Sequence, residues 1–394
     1  MAKLSVDRLD LAGKRVFLRV DFNVPLDGGR VTDDTRITAA LPTIRHCLDA
    51  AASVVIGSHL GRPKGKPDAK FSLAPVATRL SELLGQPVPL ARDCIGSEVE
   101  AMARGLARGQ ILMLENLRFH SEEEANDDGF ATALAAVADV YVDDAFAAAH
   151  RAHASIEAIT RHLRPAAAGL LMARELEALG RIFDKPERPV WTILGGAKVS
   201  DKLALVQHLL GKVDGVLVGG GMAFTFLQAL GHPVGRSLVE PDRLGAAREV
   251  IERARAAAVP LRLPVDFVVA ASPDDGASRR TVSLREIPSD LMGLDIGPTT
   301  VGQFTSALKG AGTVLWNGPM GVFEREGFAE GTMGVARAVS ECGGFSVIGG
   351  GDTIAAVQRA GVTSRIGYIS TAGGAFLEYL EGRVLPGVAA IDDA

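Results

Sequence analysis

The sequence predicts an α/β protein built from two doubly wound parallel-sheet domains joined by a helix. Three observations predict it: the length of the chain, the regular alternation of apolar runs with helix-spaced segments, and the residues in which those runs end. At 394 residues the chain exceeds what one core comfortably buries and suits two domains. The strand candidates of the first half are KRVFLRV, SVVIGS, ILMLEN and VYVDDAF. Those of the second are VWTILGG, GVLVGGG, VDFVVA, TVLWNGP, FSVIGGG and YIS. Between them, segments such as LAPVATRLSELLG and LGAAREVIERARAAA carry apolar residues at helical spacing. Strand, helix, strand at this rhythm implies parallel sheets covered by helices on both faces.

The connector is GLLMARELEALGRIF, residues 169–183, an amphipathic pattern followed by DKPERP, whose two prolines end it. This places one domain at 1–168, a hinge helix at 169–185 and a second domain at 186–383. No tandem repeat or low-complexity segment interrupts the pattern.

Composition narrows the function classes. With 47% apolar and 23% charged residues the chain reads as an ordinary soluble globular protein. A formal net charge of -5 and a pI near 6.0 argue against nucleic acid or an anionic membrane as a general partner. Cys47, Cys94 and Cys342 are widely spaced and form no C-x-x-C motif, which fits a reducing cytoplasm better than a disulfide framework. The N-terminus shows no secretory signal and no run is long enough to span a membrane, so a cytoplasmic location is expected.

In open α/β sheets ligands bind beyond the carboxyl ends of the strands, and here those ends differ between halves. The first half offers Asp21-Phe22-Asn23, Ser58-His59-Leu60-Gly61-Arg62, Glu115-Asn116-Leu117-Arg118 and the stretch from Asp144 to Arg151. Arg19, Arg36, His59, Arg62, Arg118, His150, Arg151 and His153 all fall at or near strand ends. Singly, each reads as a salt-bridge residue. Together, on one sheet edge, they would repel one another unless a polyanion filled the space. Guanidinium groups grip carboxylate and phosphate bidentately, so a small phosphorylated acid is the natural guest.

The second half offers backbone instead. Gly219-Gly220-Gly221 and Gly349-Gly350-Gly351 each stand between a strand and a helix, where N–H groups and a helix N-terminus can cradle phosphate. One such run is equally well a tight turn. Three glycine-rich strand ends in one half point to a nucleotide, although G-x-G-x-x-G is absent. Asp352 and Thr353 read as helix caps or, for Asp352, as a carboxylate holding Mg²⁺ beside a triphosphate. Lys198, just beyond Gly195-Gly196, and Lys202 four residues on are expected to share the face of a starting helix. Two solvated surface lysines are the plainer reading; against it, Lys198 at a buried strand end would need an anionic partner.

With RVDFNVP, DDTRI, SHLGRPKG, ENLRF, DAF…AHRAHAS, GGAKVSDK, GGGMAFTF, LWNGPMGVFE and GGGDT in this order, the chain resembles the phosphoglycerate kinases over essentially its full length. The resemblance implies two Rossmann-like domains and reversible phosphoryl transfer between ATP and 3-phosphoglycerate, giving ADP and 1,3-bisphosphoglycerate, with Mg²⁺. It implies that Asp21, Phe22, Asn23, Arg36, His59, Leu60, Gly61, Arg62, Arg118 and Arg151 bind the phosphoglycerate. It assigns the nucleotide to Lys198, Lys202, Gly219, Gly220, Gly221, Asn317, Glu324, Gly350, Gly351, Asp352 and Thr353, with Glu324 at the ribose and Asp352 at the metal. Arg36 and Lys198 would stabilise the transferring phosphoryl group in a closing interdomain cleft. The substrate's own carboxylate is the nucleophile, so no general base is required. The resemblance further implies a monomer whose residues 384–394 return to the N-terminal domain.

Three positions depart from the family pattern. Ala147 and Ala148 stand where Gly-Thr is usual, and Ala372 where a glycine is usual. A glycine held at positive φ would not be replaceable there without strain. Two rival readings are a kinase for a different small acid and a scaffold that retains the fold without turnover. The many basic residues of the first half argue for a phosphorylated acid, and Arg36, Lys198, Lys202 and Asp352 argue for an enzyme.

Overall fold

The computed structural model describes residues 2–394. The chain forms two compact units, one of Met1–Glu177 with Val384–Ala394 and one of Ala178–Arg383.

The first unit holds β1 (Arg15–Arg19), a short hairpin of β2 (Leu26–Asp27) and β3 (Arg30–Val31), β4 (Ser53–Gly57), β5 (Ile111–Met113), β6 (Val140–Asp143) and β7 (Ala166–Ala168). Its main sheet has the order β5-β4-β1-β6-β7, with every pair parallel. Successive side chains of a strand point to opposite faces, and both faces are buried here. On one side Val16, Leu18, Val54 and Ile56 pack with Ile37, Ile44, Val76 and Leu80 of two helices. On the other, Phe17, Val55 and Tyr141 pack with Val99, Phe130 and Leu134. Two apolar layers around one sheet are what makes its strands read as unbroken hydrophobic runs. The alanine-only β7 was not among the expected strands, since AAA carries no strand propensity. It is completed by pairing with Asp143, Val142 and Tyr141.

The second unit holds β8 (Val190–Leu194), β9 (Gly215–Val218), β10 (Leu261–Arg262), β11 (Asp266–Ala270), β12 (Arg280–Ser283), β13 (Met292–Ile296), β14 (Thr313–Asn317), β15 (Phe345–Gly349) and β16 (Tyr368–Ser370). Six of them form the sheet β10-β9-β8-β14-β15-β16, again all parallel. The expected strand VDFVVA departs from this plan. As β11 it pairs antiparallel with β12 and β13 in a separate three-stranded sheet. The parallel sheet ends at β10, which lasts two residues before Pro264 breaks the ladder. An antiparallel sheet tolerates one wetter face, so β12, with its mostly exposed RTVS, gives little apolar signal in the sequence.

The connector forms a helix over Leu170–Phe183 and contains the boundary between the two units. Its first N–H groups are satisfied from within the first unit. Thr43 Oγ1 accepts from Leu170 at 3.0 Å, and Asp144 Oδ1 accepts from Leu171 at 2.9 Å and Met172 at 3.1 Å. The last residues pair with the first: Leu4 N–H donates to Asp392 O at 2.7 Å, and Asp392 Oδ2 accepts from Ala166 N–H at 2.8 Å.

Ala147 and Ala148 lie in a 3-10 turn, Phe146–Ala148, and neither has positive φ. Ala372 is buried, and the positive φ of that segment falls on its neighbour Gly373. The backbone therefore accommodates all three alanines.

A Cβ at Gly169 would stand 2.2 Å from Asp144 Oδ1. Gly169→Ala is expected to displace the carboxylate from the two N–H groups it accepts. The cost should be about 1–3 kcal/mol, read as a lower midpoint in urea denaturation. An unchanged midpoint would mean that Asp144 does not hold this helix end.

Candidate functional site

In the first unit the strands run one way, so their carboxyl ends share an edge. β1 ends in Arg19, which is fully buried. Its Nε donates to Ser155 Oγ at 2.7 Å, its Nη1 to Val20 O at 2.5 Å, and its Nη2 lies 3.3 Å from His59 Nδ1. The chain beyond β1 carries Asp21, which pairs with Arg36 from the first turn of the helix Thr35–Asp49. Asn23 Oδ1 accepts from Gly61 N–H at 2.9 Å, and Phe22, in the core, donates its N–H to Ser58 Oγ at 2.9 Å. Leu60 is also buried and is held on both its backbone groups by Asn116. These contacts join the loops after β1, β4 and β5.

Arg118 donates from Nη1 to Gly61 O at 3.0 Å and lies 3.2 Å from Glu124 through Nε. Its side chain is 4% exposed, and its Nη2 meets no hydrogen-bond partner among the described residues. Burial, and the neighbouring Arg151 and Arg19, lower its pKa against the pull of Glu124 and Glu123. Arg151 Nε lies 3.0 Å from His150 Nε2, and Arg62 is exposed beyond Gly61. A buried guanidinium with unmatched donors and cationic neighbours is the environment an oxyanion fits.

The histidines need correction as members of a cation cluster. Burial, then Arg19, Arg118, Arg151 and His153, push His59 well below the usual imidazole range. Burial and the same arginines bring His153 down to about 3. Both are neutral at physiological pH, so the positive charge of this edge is carried by arginine. Glu123 escaped notice because SEEE reads as a solvated turn. It is fully buried and accepts from Ser155 N–H at 2.9 Å and Ser155 Oγ at 2.6 Å, with Arg19 at 3.9 Å.

In the second unit the glycine-rich loops interlock. Gly220 has φ +66°, and a Cβ there would fall 2.6 Å from Gly196 O. Gly219 touches Met320, whose Sδ a Cβ would meet at 2.4 Å, while Gly221 caps the helix Met222–Ala229. Gly350, with φ +94°, is the N-cap of the helix Gly351–Arg359. Its neighbour Asn317 donates from Nδ2 to Gly349 O at 2.7 Å and accepts from Lys202 Nζ.

Three expectations change here. The helix after GGAKVSDK begins at Leu203, so Lys198 and Lys202 lie in the turn before it and share no helical face. Lys198 is exposed, and the desolvation argument applied to it belongs to Lys202. Burial lowers the Lys202 pKa, against Asp201, Glu381 and Asp352. Finally, neither Asp352 nor Thr353 is an N-cap. Thr353 is buried and accepts from Gly318 N–H at 2.7 Å, whereas Asp352 is exposed in the first helical turn without a capping bond. That leaves its carboxylate oxygens to a cation, a donor suited to Mg²⁺ shared with phosphate oxygens.

A cavity of about 270 Å³ adjoins these loops, with Gly196, Gly220 and Gly221 on one side and Leu238, Leu294 and Val322 supplying apolar wall. Glu324, Asp352 and Asp295 also line it. Leu238, Leu294 and Asp295 were not foreseen, because β13 brings the last two and its sheet was not anticipated. Also unforeseen is Glu240, which clamps the lysine turn by accepting from Ser200 N–H at 3.0 Å and Ser200 Oγ at 2.6 Å.

Two sheet edges, one arginine-rich and one glycine-rich, invite comparison with known proteins. A sequence profile described as phosphoglycerate kinase matches residues 6–383. The chain belongs to the phosphoglycerate kinase family. It is 56% identical over 395 residues to a phosphoglycerate kinase of Anaeromyxobacter sp. (strain Fw109-5), covering 100% of both chains. It is 55% identical over 393 residues to that of Moorella thermoacetica, again covering 100% of each. Among solved structures, phosphoglycerate kinase from Coxiella burnetii superposes with a TM-score of 0.93 at 43% identity over 98% of each chain. Among the described residues no helix is long and apolar enough to cross a membrane.

Asp295 permits a pH test. Its carboxylate accepts from Gly331 N–H at 2.7 Å and Ile296 N–H at 3.0 Å. Burial, reinforced by Glu330, nevertheless pushes it up to about 8. An unfolded Asp titrates near 3.9, so between these values the folded chain binds the extra proton. This contribution is complete below the unfolded value and is lost as pH rises through about 8. Asp295→Asn is expected to flatten the fall in stability across that window by up to about 1.4 kcal/mol per pH unit, measured by denaturant melts at stepped pH. Parallel curves for the two proteins would contradict it.

Proposed function

We propose that this chain is an ATP:3-phosphoglycerate 1-phosphotransferase, acting as a cytoplasmic monomer with Mg²⁺. The observation that carries the reading is the pairing of an arginine edge with a glycine-and-lysine cradle in a chain of this family. The free, buried state of Cys47, Cys94 and Cys342 accords with a reducing compartment.

The first unit would take the phosphoglycerate. Arg62, Arg118 and Arg151 supply bidentate donors for its phosphate. Arg36, oriented by Asp21, addresses the carboxylate end, and Asn23 with His59 completes the hydrogen bonding. His59, neutral, acts as a hydrogen-bond partner and not as an acid. The second unit would take the nucleotide, with the adenine against the apolar wall of the cavity and the ribose at Glu324. Backbone N–H groups of Gly350, Gly351 and Thr353, together with Asn317 and Lys202, would face the phosphates, while Gly219, Gly220 and Gly221 would line the nucleotide cleft, the first two with their N–H groups donated to Leu194 O and Met320 O.

The acceptor is a carboxylate, ionised at neutral pH, so no residue has to remove a proton. What remains is alignment of the reacting oxygens and neutralisation of charge on the transferring phosphoryl group. Arg36 and Lys198 would supply that charge, one from each unit. Mg²⁺, held by Asp352, would neutralise phosphate oxygens of the nucleotide.

ADP release from MgATP is expected to rise strongly when 3-phosphoglycerate is added. Arg36→Ala and Lys198→Ala should each reduce that stimulated rate by about 10²–10³-fold, the scale of losing one preorganised charge. No stimulation in the folded parent protein would reject the assignment and favour another acid substrate. Glu240→Gln, which loosens the lysine turn without touching substrate, should cost less, on the order of 10-fold, chiefly in kcat. A loss equal to that of Lys198→Ala would instead place Glu240 in contact with the reactants.

A further inference from the structure

Away from both edges, the loop before the helix Ser97–Arg104 meets the segment after the 3-10 turn Leu117–Phe119. There Asp93, Cys94 and His120 bring one potential ligand atom each close together. A carboxylate oxygen, Sγ and a ring nitrogen all lie within 4.8 Å of one another. His120 Nε2 is 2.7 Å from Asp93 Oδ1, and Cys94 N–H donates to the same oxygen at 2.7 Å. The His120 ring is steadied by Phe130, with ring centroids 5.2 Å apart. The Cys94 side chain is fully buried, while Asp93 and His120 are 52% and 26% exposed. No residue of the three takes part in the reaction proposed above.

We propose that Asp93, Cys94 and His120 form a binding site for a borderline-soft divalent cation, represented by Zn²⁺ and separate from the Mg²⁺ of the reaction.

The donor set decides the class of ion. Mg²⁺ prefers oxygen and water, whereas one sulfur, one imidazole nitrogen and one carboxylate oxygen suit Zn²⁺ or Co²⁺. Ligand bonds of about 2.0–2.3 Å in a tetrahedron separate the ligand atoms by about 3.3–3.8 Å. The cluster reaches this spacing by side-chain rotation of Asp93 and His120, both accessible to solvent. Burial, Asp93 and Glu123 all raise the Cys94 thiol far above its ordinary range, so binding has to displace a firmly held proton, which the S–metal bond and the anionic Asp93 ligand offset. Binding forms the S–metal bond and releases the Cys94 proton to water. His120 coordinates through Nε2 as the neutral ring, with its remaining proton on Nδ1, and water completes the shell on the exposed side. His120 lies two residues beyond Arg118, so an occupied site would also fix the turn that carries this arginine.

The experiment uses Co²⁺ as a spectroscopic probe on chelator-treated full-length protein. One equivalent should produce the visible bands of tetrahedral Co²⁺ and a near-ultraviolet thiolate-to-cobalt charge-transfer band, both displaced by Zn²⁺. The charge-transfer band should vanish in Cys94→Ala with Mg²⁺-dependent turnover unchanged. His120→Gln should weaken Co²⁺ binding at least 10-fold and Zn²⁺ should no longer raise its thermal midpoint. Absence of the band in the parent protein overturns the proposal. So does its persistence in Cys94→Ala, which would move the ligand to Cys47 or Cys342. If Cys94→Ala fails to fold, Asp93→Asn with His120→Gln gives the same decision through loss of the Zn²⁺-induced rise in thermal midpoint.

Discussion

Arg19, Asp21, His59, Arg118 and Arg151 come from segments spread over more than a hundred residues of chain, and a single constraint gathers them: parallel strands place all their carboxyl ends on one edge. Parallel pairing in turn demands helical crossovers, and the crossovers demand that both faces of the sheet be apolar. The alternation of Val16 and Leu18 with Phe17 between two cores is therefore the condition for the site, because it fixes the direction and register of the strands that carry it.

A gathered edge of arginines must be held against its own repulsion. The fold does this with carboxylates, buried at Glu123, half-buried at Asp21 and exposed at Glu124. Glu123 sits beneath Arg19 and His153, Asp21 faces Arg36, and Glu124 faces Arg118. Neutral histidines fill the remaining space without adding charge. The second unit solves the opposite problem with few side chains. Gly220 must adopt positive φ to pass against Gly196, its own N–H donating to Met320 O, and Gly350 must do so beside Asn317, where it starts a helix whose first N–H groups can meet an anion. Arginine recognises a small acid by its fork geometry; bare backbone accepts a flexible chain of phosphates.

Buried acids recur as organisers of loops and helix ends. Asp144 serves the helix Leu170–Phe183, and Asp295 serves the helix Glu330–Ser340. Both are raised in pKa by burial, Asp144 to about 6 and Asp295 to about 8. Where Asp295 approaches Gly321 and Gly331, a Cβ would fall 2.3 Å from its Oδ1. The loop leading to Glu324 is thus seated on this carboxyl group, which links the cavity beside the glycine-rich loops to the packing of a helix.

The sequence by itself determined the strand candidates, the α/β class, the connecting helix and the identity of the residues at each strand end. These follow from local causes: hydrophobic period, proline and glycine punctuation, and residue type at a strand terminus. Only the tertiary structure decided which of those residues are charged, which are capped and which are exposed. Lys198 and Lys202 look equivalent in sequence, yet one is exposed and the other is half-buried against Asn317. Asp352 looks like a cap, yet Gly350 takes that position. Glu123, Glu240 and Asp295 have no local signature, because their meaning lies in partners 30 to 40 residues away. Burial and long-range hydrogen bonding are properties of the packed chain, and they set the electrostatics of both edges.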